Sequence, residues 1–223
     1  MLHAAESLIA LSESVVTACH AWYMRFGGKG KIVRIDHPGL FVSSSKLKTE
    51  YLRYALVCGI SRPKKSRATG SIPTLLDLCH REGVRVWEHW ANLKSSEPVP
   101  PAWRQTYGVV GDAKWSNMIS HAQVVLCPYR TRIQSVSGLI SEALSARRFI
   151  LSTSFDLALE MKARVPSLVT IKDDIRRWPA LIQSLPQACK HIDPGIPTWN
   201  LFARSLASEL AEPESRDYPT APL

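Results

Sequence analysis

Short apolar runs alternate with amphipathic stretches along most of the chain from residue 54 onward. Runs of this length, rich in valine, leucine and isoleucine, are typical of buried strands. They predict strands at residues 54–58, 84–87, 107–110, 123–127, 148–151 and 168–171. The stretches between them predict helices at residues 72–80, 115–121, 137–146, 155–162 and 175–185. Because strands and helices alternate, we expect an α/β fold with a single doubly wound parallel sheet, a Rossmann-like domain.

Two segments lie outside this alternation. Residues 1–53 contain an apolar run at 7–11, a helix at 13–24, a glycine turn at 27–30 and a strand at 31–35. The run at 7–11 has no evident sheet partner, so we expect it to cover a neighbour, to mediate self-association or to be poorly ordered. A final amphipathic helix is predicted at 199–210, and the proline-containing residues 212–223 are predicted to be a disordered tail. The predicted organisation is therefore a lead-in segment (1–53), an α/β domain with its closing helix (54–211) and a tail (212–223).

The composition argues against several classes of protein. Although 45% of the residues are hydrophobic, no apolar run approaches the roughly 18 residues that a transmembrane helix needs. The five cysteines are scattered, and the seven histidines form no metal-binding motif, so neither a disulfide framework nor a metal site is expected. These features predict a cytoplasmic protein with reduced, mostly buried thiols.

The formal net charge of +9 favours an anionic partner such as a nucleotide phosphate, a nucleic acid or an acidic membrane surface. Nucleic acid is the weaker alternative, because the aromatic residues do not alternate with the basic clusters as a base-stacking surface requires. No nucleic-acid partner is therefore expected. Peripheral contact with the inner face of the membrane is left open.

The first candidate site is the segment 59–66, which directly follows the first predicted strand of the α/β domain. Gly59 permits a sharp turn, and Arg62 and Lys65 are close enough in sequence to bind one anion together. A hydrogen bond to a charged group contributes about 1.5–3 kcal/mol, so two such cations suit a diphosphate. A solvated basic turn is the alternative that composition alone favours.

The second candidate site follows the strand predicted to end at Cys127. The helix after it begins near Ser135 or Ser137, and either serine suits the N-cap position. Unpaired N–H groups at a helix start attract an anion, and Gly138 permits its close approach. Glu142 shares a flank with Gly138, where its carboxylate can accept hydrogen bonds from a ribose diol; an ordinary surface glutamate is the alternative. The opposite, buried stripe is predicted to be Leu139, Ile140, Ala143 and Leu144.

Two further features have plainer interpretations. The glycines within residues 27–30 lack the spacing of a phosphate-binding loop and predict a turn before a strand. His37 lies in the sequence Asp-His-Pro-Gly, where a catalytic role and a turn histidine are both open, and the turn is favoured.

Together these segments resemble the C-terminal half of GT-B glycosyltransferases of the large retaining glycosyltransferase family 4. Residues 59–66 resemble that family's G-x-I-R-P-Y-K-G, retaining the arginine, the proline and the lysine. Residues 134–145, Q-S-V-S-G-L-I-S-E-A-L-S, align without a gap on E-G-F-S-N-V-L-L-E-A-M-A, and residues 148–153 match the strand P-V-I-A-T. Weaker similarity extends over about residues 5–210, with His37 at the crossing into the C-terminal domain.

The resemblance implies a role for each matched residue. Arg62 and Lys65 would hold the diphosphate of a UDP- or GDP-sugar and stabilise the leaving nucleotide. The helix start would also contact the diphosphate, the second glutamate of E-x7-E would bind the ribose, and the base would lie against residues 107–110. The implied donor-binding set is Arg62, Lys65, Gln134, Ser135, Ser137, Gly138, Glu142 and Val109. Such a site needs neither a metal nor a cofactor, because the two cations and the helix N-terminus supply the electrostatic stabilisation.

Three departures from the family pattern leave a second function open. Gln134 replaces the first glutamate of E-x7-E, and Phe155 with Asp156 replaces the usual glycines after the following strand. The similarity also begins at the last strand of the N-terminal domain, so we expect a separate acceptor-binding domain or self-association. The chain is thus expected to be the donor half of a glycosyltransferase in polysaccharide or glycoconjugate synthesis. A non-catalytic binding or scaffold module with a degenerate site is the alternative.

Overall fold

The computed structural model describes residues 7–25, 31–39, 54–59, 72–91, 103–129, 137–186 and 194–211. Its strands are β1 (Ser7–Ala10), β2 (Lys31–Arg34), β3 (Ala55–Gly59), β4 (Val86–Trp90), β5 (Arg104–Tyr107), β6 (Val124–Cys127), β7 (Phe149–Ser152) and β8 (Val169–Ile171). Its α-helices are α1 (Glu13–Arg25), α2 (Ile72–Arg81), α3 (Asp112–His121), α4 (Gly138–Ser145), α5 (Asp156–Arg164), α6 (Trp178–Ser184) and α7 (Trp199–Ala211), with a 3-10 turn (Ile175–Arg177) before α6.

The main sheet has six parallel strands in the order β5-β4-β3-β6-β7-β8. Successive strands run outward from β3 to β5, and the chain then returns to place β6 on the other side of β3. This reversal defines a doubly wound sheet, and the predicted fold class is confirmed.

The central strands β3, β6 and β7 are buried on both faces, and every residue in them except Gly59 is buried. Continuous apolar runs are typical of parallel strands covered by helices on both sides. Removal of this apolar surface from water is the main favourable contribution to folding. The strands and α2 also contain three buried free thiols, at Cys58, Cys79 and Cys127.

The helices cover the sheet through one apolar face each. In α2 the buried residues recur at helical spacing: Ile72, Leu75, Leu76 and Cys79. In α4 the predicted buried stripe is wrong at one position, because Ser141 is buried in place of Leu139. Leu139 is only partly buried, although it still packs against the core. No helix in the described ranges is long and apolar enough to cross a membrane.

Strand β4 ends later than the prediction of residues 84–87, because it contains buried polar residues. Glu88 is fully buried, and its carboxylate accepts hydrogen bonds from the Trp90 indole (2.6 Å) and the Gln105 side-chain amide (3.0 Å). Polar groups that find hydrogen-bond partners are tolerated in a buried strand. A prediction based on apolar runs ends the strand before Glu88 instead.

Strand β5 precedes the residues 107–110 that the sequence predicts, overlapping them only at Tyr107. Its sequence, Arg-Gln-Thr-Tyr, is polar because β5 lies at the edge of the sheet and is only partly buried. The Thr106 hydroxyl accepts a hydrogen bond from the Trp87 indole (2.9 Å) of β4 and lies 2.8 Å from Nδ1 of His89. Side-chain contacts with β4 therefore stabilise a strand that carries no apolar signal.

The apolar run near the N-terminus forms β1, which pairs in parallel with β2 in a separate two-stranded sheet. Helix α1 connects the two strands and packs on both of them, forming a βαβ unit. The expectation that this run has no sheet partner is therefore wrong. Neither strand pairs with a strand of the main sheet among the described residues.

An ionic cluster joins the βαβ unit to α5. The Arg34 guanidinium contacts the carboxylates of Glu13 (2.7 Å), Asp36 (2.8 Å) and Glu160 (3.0 Å). Arg164 contacts Asp36 at 2.8 Å. These charges hold the end of β2, the start of α1 and α5 together.

The chain crosses between its two sheets next to the C-terminal end of α4. The Gly39 N–H donates to the carbonyl of Pro197 (3.0 Å), so the two crossing segments run side by side. A Cβ on Gly39 would lie 2.5 Å from Cβ of Ser145, which makes glycine necessary for this close approach. Beyond the crossing, α7 returns to the small sheet, where Glu209 pairs with Lys31 at 2.6 Å.

Candidate functional site

The two predicted ligand loops leave the main sheet from neighbouring strands. β3 ends at Gly59 and β6 ends at Cys127, and these strands pair where the strand order reverses. In doubly wound folds the crevice at this reversal is the usual ligand site, because the two loops that follow diverge toward opposite faces of the sheet. Four of the predicted site residues lie outside the described residues: Arg62, Lys65, Gln134 and Ser135.

Glycine is required at position 59 for a reason other than the predicted sharp turn. The φ angle of Gly59 is not in the left-handed region, but a Cβ there would lie 2.9 Å from Cζ3 of Trp90. Trp90 is buried, and Glu88 holds its indole N–H. The missing side chain therefore allows the indole to cover the end of β3, where the first loop begins.

Ser137 occupies the N-cap position of α4, one of the two positions that the sequence predicts. Its backbone is extended (φ −146°, ψ 106°), yet its side chain caps no helix N–H. The Ser137 hydroxyl instead lies 3.2 Å from the Tyr129 hydroxyl, and burial raises the pKa of Tyr129 well above its ordinary value. In the first turn, the Ile140 N–H donates to the Ser137 carbonyl (3.1 Å), and the N–H groups of Gly138 and Leu139 precede the first such bond, so α4 begins with two donors and a positive dipole end.

His37 lies against this helix start, a contact that the sequence does not predict. A Cβ on Gly138 would lie 3.3 Å from Cε1 and 3.5 Å from Nε2 of His37, so a side chain at 138 would crowd the imidazole. Nδ1 of His37 is 2.7 Å from the Pro38 carbonyl, which only accepts, so Nδ1 carries the proton. Nε2 is then the acceptor in the neutral ring. The Trp199 ring contacts His37 edge-on at a centroid distance of 6.2 Å.

Glu142 is half-buried and hydrogen-bonded, which differs from the alternative of an ordinary surface glutamate. The Trp115 indole N–H of α3 donates to its Oε2 at 2.9 Å. Burial raises the pKa of the Glu142 carboxyl above its ordinary value; the Trp115 hydrogen bond opposes this rise, and the charge of Asp112 adds to it. The Trp115 contact has no sequence signal, because it joins two helices that are separated by β6.

A buried histidine stands behind Trp115. His89 in β4 packs against the Trp115 indole at a centroid distance of 6.0 Å. Burial, and secondarily the charge of Lys114, lowers the pKa of His89 below its ordinary value, so the ring is neutral at neutral pH. Within the described ranges, no group of three or more His, Cys, Asp or Glu side chains is arranged to hold a metal ion.

The remaining predicted positions lie along the same C-terminal edge of the sheet. Val109 follows β5, two strands from β3, and its side chain is 90% exposed. Phe155 is buried and packs edge-on against the Tyr129 ring at 5.1 Å. The departure from glycine at position 155 therefore fills space next to the start of the second loop.

The comparisons with known proteins identify a fold. No family model matches the sequence, and no curated protein matches it. The structure is similar to that of AviGT4, described as a glycosyltransferase involved in avilamycin A biosynthesis, with a TM-score of 0.57 and 14% identity over 92% of this chain and 66% of that chain. It is also similar to the GtfA/B complex, with a TM-score of 0.48 and 11% identity over 93% of this chain and 39% of that chain.

At these identities the similarity shows the fold alone. The chain therefore has a GT-B-like fold, and its doubly wound main sheet matches a Rossmann-like half of that architecture. It spans slightly less than two thirds of the length of AviGT4.

Proposed function

We propose that this chain is the donor-binding half of a retaining glycosyltransferase similar to family 4, which binds a UDP- or GDP-sugar. The position of Glu142 carries the proposal. Its half-buried carboxylate lies one turn inside α4, the helix that follows the strand-order reversal, and Trp115 holds one of its oxygens. A fixed carboxylate beside a helix N-terminus suits a ligand that has a diphosphate and a diol a few ångströms apart.

The proposed chemistry is electrostatic. Arg62 and Lys65 neutralise the charge that develops on the leaving nucleoside diphosphate while the glycosyl group moves to an acceptor hydroxyl. A preorganised donor of this kind contributes roughly 3–4 kcal/mol to transition-state stabilisation, so no metal is needed. The proposed donor contacts are Arg62, Lys65, Gln134, Ser135, Ser137, Gly138, Glu142 and Val109.

The acceptor site is proposed to lie on a further domain or a separate chain that adds to the β1–β2 sheet. A two-stranded sheet is marginally stable alone, and neither edge of this sheet pairs with another strand among the described residues. Ile9 in β1 remains 40% exposed, which leaves apolar surface for such an addition. Transfer to a polysaccharide or glycoconjugate acceptor would depend on that partner.

A non-catalytic binding or scaffold module is the second candidate. Phe155 favours it, because a buried aromatic ring stands where the family that the chain resembles has glycine. It packs against Tyr129, whose hydroxyl lies 3.2 Å from that of Ser137. If the Phe155 side chain narrows the crevice, the chain would keep its fold but would no longer bind the donor sugar.

Titration calorimetry with UDP and with GDP tests the proposal. Saturable binding of one nucleotide, lost in Arg62→Ala and in Glu142→Ala, supports the donor site. Arg176→Ala is the matched control, because Arg176 is an exposed arginine paired with Asp174 beyond β8 and should bind like the wild type. Absence of binding by both nucleotides to the folded wild type refutes the donor site and favours the scaffold.

A further inference from the structure

The environment of Glu142 is asymmetric. Oε2 accepts the hydrogen bond from Nε1 of Trp115, and no other hydrogen bond to this carboxylate forms within the described part of the chain. The indole has one N–H donor and no acceptor, so it engages one oxygen in one direction. Among the described residues, Oε1 therefore accepts no hydrogen bond, while the indole orients the carboxylate through Oε2.

Trp115 is itself held in place from the sheet. Its ring packs against His89, which is 2% exposed in β4. His89 is held in turn by Thr106 in the neighbouring strand β5, at 2.8 Å from Nδ1. Consecutive contacts therefore connect two strands of the main sheet, through the indole, to one carboxylate oxygen.

We propose that Trp115 is a positioning residue for nucleotide recognition: it fixes Oε2 of Glu142 so that Oε1 accepts a hydrogen bond from the ribose diol. This inference rests on the proposed function and names how that site selects a ribonucleotide. A free glutamate side chain loses conformational freedom when it binds a ligand. Because Trp115 already restricts the Glu142 side chain in the free protein, this loss of conformational entropy does not weaken nucleotide binding.

The test compares UDP with 2′,3′-dideoxy-UDP (or the GDP pair, if GDP is the nucleotide that binds) by titration calorimetry. In the wild type the diol should improve affinity by about tenfold or more, as expected for a hydrogen bond to a charged group. Trp115→Phe keeps a ring against His89 and removes the N–H. The variant should bind the dideoxy nucleotide as the wild type does, and its preference for the diol should fall to about threefold or less.

Trp178→Phe is the matched control. Its indole N–H also makes one hydrogen bond, 2.8 Å to the Lys172 carbonyl, just beyond the edge strand β8. It should retain the wild-type preference. If Trp115→Phe also retains the full preference, the positioning role is refuted while the donor site stands; if the wild type binds neither nucleotide, the donor site itself fails.

A second measurement leaves Trp115 unchanged, so it tests the inference even if Trp115→Phe misfolds. With indole-15N tryptophan, the chain should give one signal per tryptophan, seven in all. Glu142→Gln should shift the Trp115 signal, and the same signal should shift with UDP but only weakly with 2′,3′-dideoxy-UDP. Equal shifts with both nucleotides, or no shift in Glu142→Gln, would overturn the inference.

Discussion

Replacement of Gly39 by alanine should destabilise the crossing between the two sheets for a purely steric reason. The φ angle of Gly39 lies outside the left-handed region, so alanine meets no conformational penalty there. The new methyl group would lie 2.5 Å from Cβ and 2.6 Å from Oγ of Ser145, and 3.0 Å from Cγ2 of Ile196. Because carbon atoms pack at roughly 3.5–4.0 Å, the segment must move by about 1 Å. Overpacking of this kind costs about 1–3 kcal/mol.

Thermal and urea unfolding measure this cost, and a lowering of Tm by roughly 2–4 °C per kcal/mol is expected for a domain of this size. Ser145→Gly removes both of the closest atoms, so Gly39→Ala should cost at least about 1 kcal/mol less in that background. Additive effects of the two substitutions would show that Ser145 is not the obstacle. An unchanged Tm in Gly39→Ala would refute the packing of the crossing altogether.

Two further predictions concern charges. Because burial raises the pKa of Glu142, the folded chain holds that proton more tightly than the unfolded chain, and the free energy of unfolding falls as pH rises through the raised pKa. Glu142→Gln should therefore gain stability relative to the wild type as the pH rises from below the ordinary carboxyl pKa to above the raised pKa of Glu142, and urea midpoints that stay parallel over this rise would contradict the prediction. Arg34→Ala removes ion pairs to Glu13, Asp36 and Glu160, and should lower the free energy of unfolding by about 1 kcal/mol at low salt and by much less in 1 M salt. A salt-independent loss would mean that packing of the arginine stem matters instead.

The arrangement of charges and rings around α4 gives the proposed site a division of labour. In the proposed site the start of α4 would provide positive potential, and Glu142 would provide a carboxylate held by Trp115. His37 lies at the same helix start although it belongs to the segment that crosses between the sheets. A shift of that crossing would therefore move His37 relative to Gly138. This contact links the geometry of the small sheet to the candidate site.

The alternation of apolar and amphipathic stretches was enough to predict the doubly wound sheet. Buried strands such as β3 and β6 are apolar because both of their faces are covered, so their composition predicts their burial. Errors fell where polar side chains find partners from other elements. Glu88 and His89 extend β4 because Gln105 and Thr106 lie opposite them, which no local pattern encodes.

The strand end that precedes Arg62 and Lys65 and the helix that carries Glu142 could be placed from the sequence, because motifs at strand ends meet at one edge of a parallel sheet. The roles of these residues remain predictions. What Glu142 contacts could not be inferred in this way, since Trp115 lies 27 residues away on another helix.

By itself, the sequence determined the order of strands and helices, the apolar core and the chemical character of the two loops, since each depends on the spacing of residues along the chain. Only the tertiary structure decided that Trp115 meets Glu142, that His37 meets Gly138 and that β1 pairs with β2. These contacts join segments far apart in the chain, and their geometry depends on how the helices and the crossing pack on the finished sheet.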